Sequence, residues 1–194
     1  MFLLAVLSVV ACAFAADPSD KSLFHDTHSL LWRDCGGSDA WIKMSDFNMT
    51  PKPLRLPGHA ALTVHGINNG PGISQNAVLD VNIQKRLLNK WTQIPCTGDL
   101  GTCRYNDTCH FIQVLFPQGK CPQEFTDNGL PCTCPFTIGH GKSITLNDDA
   151  VEMGAVKPIY TWLTTGEFYI KLQMYETGKT AERMCLEFYI NLQK

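Results

Sequence analysis

Two clusters in this sequence have the residue types that acid–base, hydrolytic or metal chemistry requires. His25-Asp26-Thr27-His28 sets two imidazoles beside a carboxylate, a grouping suited to proton transfer or metal ligation. Asp148-Asp149 with Glu152 offers paired carboxylates of the sort used in glycoside hydrolysis. Neither has a setting that supports catalysis. The first lies in a polar stretch near the N-terminus, where chains are commonly solvated tails. In the second, adjacent residues on an exposed segment point apart. The chain also lacks a G-x-S-x-G nucleophile elbow, an H-E-x-x-H zinc helix and a glycine loop for phosphate. The expectation is a protein that is not an enzyme, with no catalytic residue, no metal and no cofactor.

Cysteine is the remaining reactive type. Cys12 falls in the N-terminal apolar run, leaving Cys35, Cys96, Cys103, Cys109, Cys121, Cys132, Cys134 and Cys185. An even number in an exported chain reads as four disulfides, with about 105 pairings open. Six crowd between positions 96 and 134, so a local knot of three bridges plus one joining the chain ends is the economical arrangement. Cys132 and Cys134 do not pair with each other, because a bridge joins backbones approaching from separate segments. Paired C-x-x-C units are missing, which argues against zinc.

The exported context comes from residues 1–15. This stretch has no charged side chain, is apolar from Phe2 to Leu7 and from Val9 to Ala11, and ends in Ala13-Phe14-Ala15, a small-x-small cleavage pattern. It reads as a signal peptide removed before Ala16, followed by a polar tail over 16–31 and one domain over 32–194. Asn48-Met49-Thr50 and Asn106-Asp107-Thr108 are glycosylation sequons for the same route. No later segment is apolar for long enough to cross a membrane. A net charge of −2 gives no reason to expect nucleic acid. His25, His28, His59, His65, His110 and His140 would turn the chain cationic in acid. Joint action at an anionic membrane and a plain surface scatter are both open.

Short strands must position whatever site exists. Leu62 and Val64, then Leu79, Val81 and Ile83, alternate with polar neighbours. So do Phe168, Ile170, Leu172 and Met174, and finally Met184, Leu186, Phe188, Ile190 and Leu192. Period two predicts half-buried strands with one wet face. Glu176-Thr177-Gly178-Lys179 suits a hairpin between the last two. Asn106 to Phe116 predicts a short helix, capped by Asn106, Asp107 or Thr108 and ended by Pro117. The fold class is mainly β: an antiparallel cup or sandwich with a helical insertion. Large apolar residues also occupy places where loops should be polar: Leu87, Leu88 and Trp91, and the cluster Val156, Ile159, Tyr160, Trp162 and Leu163. These either fold back on the core or form a patch that meets a membrane or partner.

Ile94-Pro95-Cys96, Gly101-Thr102-Cys103, Cys109 and Gly129-Leu130-Pro131-Cys132-Thr133-Cys134-Pro135-Phe136 together resemble the ganglioside GM2 activator family. Trp162-Leu163-Thr164-Thr165-Gly166 ahead of an alternating strand is similar as well, as are Trp32, Cys35 and Leu56-Pro57-Gly58. The resemblance runs from about Trp32 to Leu192. It implies bridges Cys35–Cys185, Cys96–Cys103, Cys109–Cys134 and Cys121–Cys132. It also implies a cup with a large apolar cavity for the ceramide tails of a glycosphingolipid, peripheral membrane contact, and presentation of the sugar to lysosomal β-hexosaminidase. Some thirty methylenes at about 0.8 kcal/mol each would make bare transfer cost roughly 20 kcal/mol or more, which a dry cavity offsets. Leu87, Leu88, Trp91, Val156, Ile159, Tyr160, Trp162 and Leu163 would then be lipid- or membrane-contacting. The implied location is lysosomal, secreted, or both; an extracellular lipid carrier or sensor without an enzyme partner is the alternative. Gly58-His59-Ala60-Ala61 lacks the sequon of mammalian members, Lys90 beside Trp91 is less apolar than theirs, and residues 147–158 match poorly.

Overall fold

The computed structural model describes residues 25–26, 30–71, 77–98, 100–115, 121–135, 138–153 and 165–194. The expected signal peptide, Pro117, and the cluster from Val156 to Leu163 lie outside the described residues.

Eleven described strands form two antiparallel sheets, with one short parallel pairing. The larger holds β1 (His25–Asp26), β2 (Leu31–Asp34), β11 (Glu182–Gln193), β10 (Gly166–Glu176), β6 (Ala77–Leu87) and β7 (Lys90–Gln93) in that order. β4 (Leu54–Arg55) adds parallel to β11, and β8 (Cys103–Tyr105) pairs with β6. The smaller sheet is β3 (Ile42–Thr50), β5 (Gly58–Asn68) and β9 (Lys142–Met153). The four strands read from alternation become β5, β6, β10 and β11, each longer than its apolar run. Gly178, at φ 76°, turns the β10–β11 hairpin, where Lys179 N–H donates to the Glu176 carbonyl.

β3 and β9 were not legible in the alternation. The β3–β5 pairing shifts register between Met44 and Asp46, and the β5–β9 pairing shifts between Leu62 and Val64. An extra residue at a bulge moves the following side chains to the other face, so strict period two breaks down. Asp148, Asp149 and Glu152, expected on an exposed segment, belong to β9, with Asp149 opposite Leu62 and Glu152 opposite His59. His25 and Asp26, expected in a polar tail, pair with Trp32 and Leu31 as β1.

The helical insertion is α1 (Thr108–Leu115). Asp107 caps it, its Oδ1 accepting from Cys109 N–H at 2.9 Å, and buried Thr108 donates to the Ala77 carbonyl at the root of β6. A second short helix, α2 (Gln123–Asp127), follows. The bridges are Cys35–Cys185, Cys96–Cys103, Cys109–Cys134 and Cys121–Cys132, the pairing that the resemblance implies. Three of them gather the insertion, and the fourth ties β11 to the chain just after β2.

Candidate functional site

Between the sheets the apolar faces meet. Trp32, Leu186 and Phe188 of the large sheet pack against Phe47 of β3, with ring centroids 5.0 Å apart for Phe47 and Phe188. Towards the Cys35–Cys185 end, Ile42 packs with Ala77, Leu79, Val81, Tyr105 and Met174. Towards the other end, Leu54, Ala60, Ile94, Phe168 and Leu192 form a third cluster.

The middle of this layer is different. On β10, Phe168 and Met174 are buried, yet Ile170 and Leu172 between them are only half-buried. On β5, Ala60 is buried while the inward Leu62 and Val64 keep accessible surface; Met44 and Met49 of β3 and Ile190 of β11 do the same. A solid sandwich core is most buried at its centre. These residues instead form a half-buried apolar layer packed against the buried clusters. A cleft of about 100 Å³ opens nearby at the sheet edge, lined by Leu31, Lys52, Glu167, Tyr189, Ile190 and Asn191, where β2 has ended and β4 has not yet begun pairing with β11.

One end of the large sheet carries Leu87 and Leu88, two of the apolar residues singled out from the sequence. Leu87 is the last residue of β6 and pairs with Lys90, the first of β7, so Leu88-Asn89 is a two-residue turn rather than a loop. Both turn residues have positive φ, 47° and 63°, the mark of a type I′ hairpin. The usual Asn-Gly or Asp-Gly signal is missing, which is why the hairpin was not expected. Leu88 is 98% exposed and Leu87 47%. Phe168 lies opposite Lys85, so Gly166 enters the sheet at the same end as these leucines. Val156, Ile159, Tyr160, Trp162 and Leu163, singled out with them, lie outside the described residues. Trp91 does not join the exposed pair. It is half-buried, with its ring 5.5 Å from Tyr189 and 6.4 Å from Tyr169.

The outer face of the large sheet departs from the wet face expected. Tyr169, Tyr189 and Glu187 are 3%, 8% and 1% exposed. Glu187 is held by both sides: Arg33 Nε donates to its Oε2 at 3.1 Å, Arg33 Nη2 donates to the same oxygen, and Lys171 Nζ lies 3.1 Å from Oε1. Cross-strand register puts Arg33, Glu187 and Lys171 in one row, with Tyr189 and Tyr169 in the next. Burial, then the charge of Glu187, pushes the Tyr169 phenol well above its ordinary pKa. Alternation assigns residues to a face but not a cover to that face, so this cluster was illegible in sequence.

Among the described residues, two groupings of titratable side chains are engaged in structural contacts. Glu187 lies beside Cys35 and Cys185, but both sulfurs are spent in a disulfide and offer no thiolate to a metal. His65 spans its sheet, with Nε2 2.6 Å from Asn147 Oδ1 and Nδ1 3.8 Å from Asp46. Of the sequon asparagines, Asn106 is exposed and Asn48 is half-buried on β3 opposite Thr63.

The ML-domain family model matches residues 29–192. The ganglioside GM2 activator of Macaca fascicularis is 28% identical over 175 residues, covering 90% of this chain and 88% of that protein. The ganglioside GM2 activator of Mus musculus is 28% identical over 149 residues, covering 76% and 75% respectively. A crystal structure of a Niemann-Pick type C2 protein from the Japanese carpenter ant aligns with a TM-score of 0.42 at 12% identity, covering 84% of this chain and 98% of that one.

Proposed function

The chain belongs to the ML-domain family, a lipid-binding fold, and from that premise we propose that it holds a glycosphingolipid by its chains and delivers it to a soluble glycosidase. The observation that carries this reading is the half-buried middle of the inter-sheet layer. Ile170, Leu172, Leu62, Val64, Met44 and Met49 keep apolar surface that a lipid chain would cover. Each methylene that enters gains about 0.8 kcal/mol over water, so the exchange with a bilayer is near balance.

The protein itself makes and breaks no bond in this reading. Exposed Leu87 and Leu88 enter the bilayer surface at their end of the large sheet, bringing the protein's apolar layer up to the lipid chains. The relatives named ganglioside GM2 activator support a ganglioside as cargo and β-hexosaminidase as the enzyme served. The signal-like N-terminus and the four disulfides support a secreted or lysosomal location.

The test is transfer of a fluorescent ganglioside between vesicles at acidic and at neutral pH, followed by its hydrolysis by β-hexosaminidase with and without the protein. Transfer together with stimulated hydrolysis is expected. Transfer without stimulation would leave a lipid carrier with no enzyme partner. A folded protein that moves no lipid at either pH would refute the reading.

A further inference from the structure

The two glycosylation sequons stand in different surroundings once the chain is folded. Asn106 is exposed, in the short connection between β8 and α1. The residues that complete its sequon are used by the fold: Asp107 caps α1, and Thr108, 3% exposed, donates to the Ala77 carbonyl. Asn106 takes part in neither contact, so a large group on its amide disturbs neither. Asn48 is the contrary case. Phe47 and Met49 turn into the inter-sheet layer, which sets Asn48 on the outer face of the small sheet, half-buried in mid-strand opposite Thr63. A sugar there would press on that cross-strand neighbour, and Pro51 directly follows the sequon.

We propose that Asn106, and not Asn48, carries an N-linked oligosaccharide, held at the end of the large sheet remote from Leu87 and Leu88. β8 pairs with the first half of β6, Tyr105 opposite Leu79, whereas Leu87 ends that strand. At about 3.3 Å per residue, the root of the glycan stands roughly 30 Å along β6 from the leucine turn. A bulky hydrated group is thereby kept off the surface that meets the bilayer; the assignment rests on the export proposed above, and the benefit of this placement on the docking of the leucines.

The donor is an oligosaccharide linked to a polyprenyl diphosphate. The bond from sugar C1 to the phosphate oxygen breaks and a bond from C1 to Asn106 Nδ2 forms. The diphosphate is the leaving group, and the amide gives up one proton. Transfer requires the hydroxyl two residues after the asparagine. In the folded chain the Thr108 hydroxyl is buried against Ala77, so transfer precedes the docking of α1 on β6.

The experiment secretes wild type, Asn48→Gln and Asn106→Gln from eukaryotic cells. Glycopeptides are mapped by mass spectrometry before and after peptide-N-glycosidase, which leaves aspartate where a glycan stood. Wild type and Asn48→Gln should carry one glycan, on Asn106, and Asn106→Gln none. The wild-type map needs no substitution, so it decides even where a variant fails to fold. Secreted wild type with Asn106 unmodified, or with a glycan on Asn48, overturns the assignment and leaves export standing. A chain that never leaves the cell overturns export and this assignment with it. Binding of wild type to anionic vesicles should stay within about twofold after enzymatic removal of the glycan. A larger gain would put the glycan in the membrane contact and overturn its remote placement. Absence of vesicle binding in both forms would overturn the docking of the leucines and the benefit drawn from it, while the mass map still decides Asn106.

Discussion

Replacing Leu88 by asparagine should raise stability and lower membrane affinity at once. Leu88 sits in a two-residue turn at φ 47°, a left-handed conformation that costs an L-residue with a bulky side chain about 1 kcal/mol. It recovers nothing by packing, because it is 98% exposed. Asparagine tolerates that conformation and is favoured in type I′ turns, so Leu88→Asn should gain up to ~1 kcal/mol, or about 2–4 °C in Tm for a domain of this size. The same exposure makes the leucine side chain available to a bilayer. Burying it there is worth about 2 kcal/mol, so its loss should weaken vesicle binding roughly 30-fold. Calorimetry and co-sedimentation with anionic vesicles read the two effects separately. A fall in Tm would show that Leu88 packs on the protein, and vesicle binding within about twofold of wild type would remove the docking role.

Glu187→Gln should cost about 3–5 kcal/mol in chemical denaturation, because it leaves Arg33 and Lys171 against a neutral group in a buried place; a loss below about 1 kcal/mol would mean that water reaches the row. Serine at both Cys35 and Cys185 frees a closure spanning 150 residues and should cost about 5 kcal/mol, whereas serine at Cys96 and Cys103, spanning 7, should cost about 2 kcal/mol. Equal melting temperatures for the two variants would contradict that ordering. The raised pKa of Tyr169 means that the unfolded chain gives up this proton first as pH rises. Its contribution to stability is therefore whole below about pH 10 and lost above it, and tyrosinate absorbance should appear for this ring only as the chain unfolds. Removal of that late, unfolding-linked fraction by Tyr169→Phe is the check; a titration indifferent to the substitution would refute it.

Much of this molecule was written locally. Period-two alternation in Phe168–Met174 and Met184–Leu192 marks two neighbouring strands, and Gly178 marks the turn between them, because strand geometry and turn conformation depend on adjacent residues. Asp107 as a cap, the even cysteine count and the apolar pair Leu87-Leu88 were legible for the same reason. β3 and β9 were less so, since bulges interrupt their period. The Leu88-Asn89 turn lacks its usual glycine.

What only the tertiary structure decided is occupancy. Sequence assigns Ile170 and Leu172 to one face and Tyr169 and Glu187 to the faces opposite, but not what stands against either face. Across the sandwich Ile170 and Leu172 pack against the buried clusters yet stay only half-buried themselves. On the reverse side Trp91 meets Tyr169 and Tyr189, and Arg33 and Lys171 close on Glu187, which turns a nominally wet face into a buried one. Both outcomes depend on residues far apart in the chain, because burial is set by whichever surface arrives opposite and alternation is set by the strand itself.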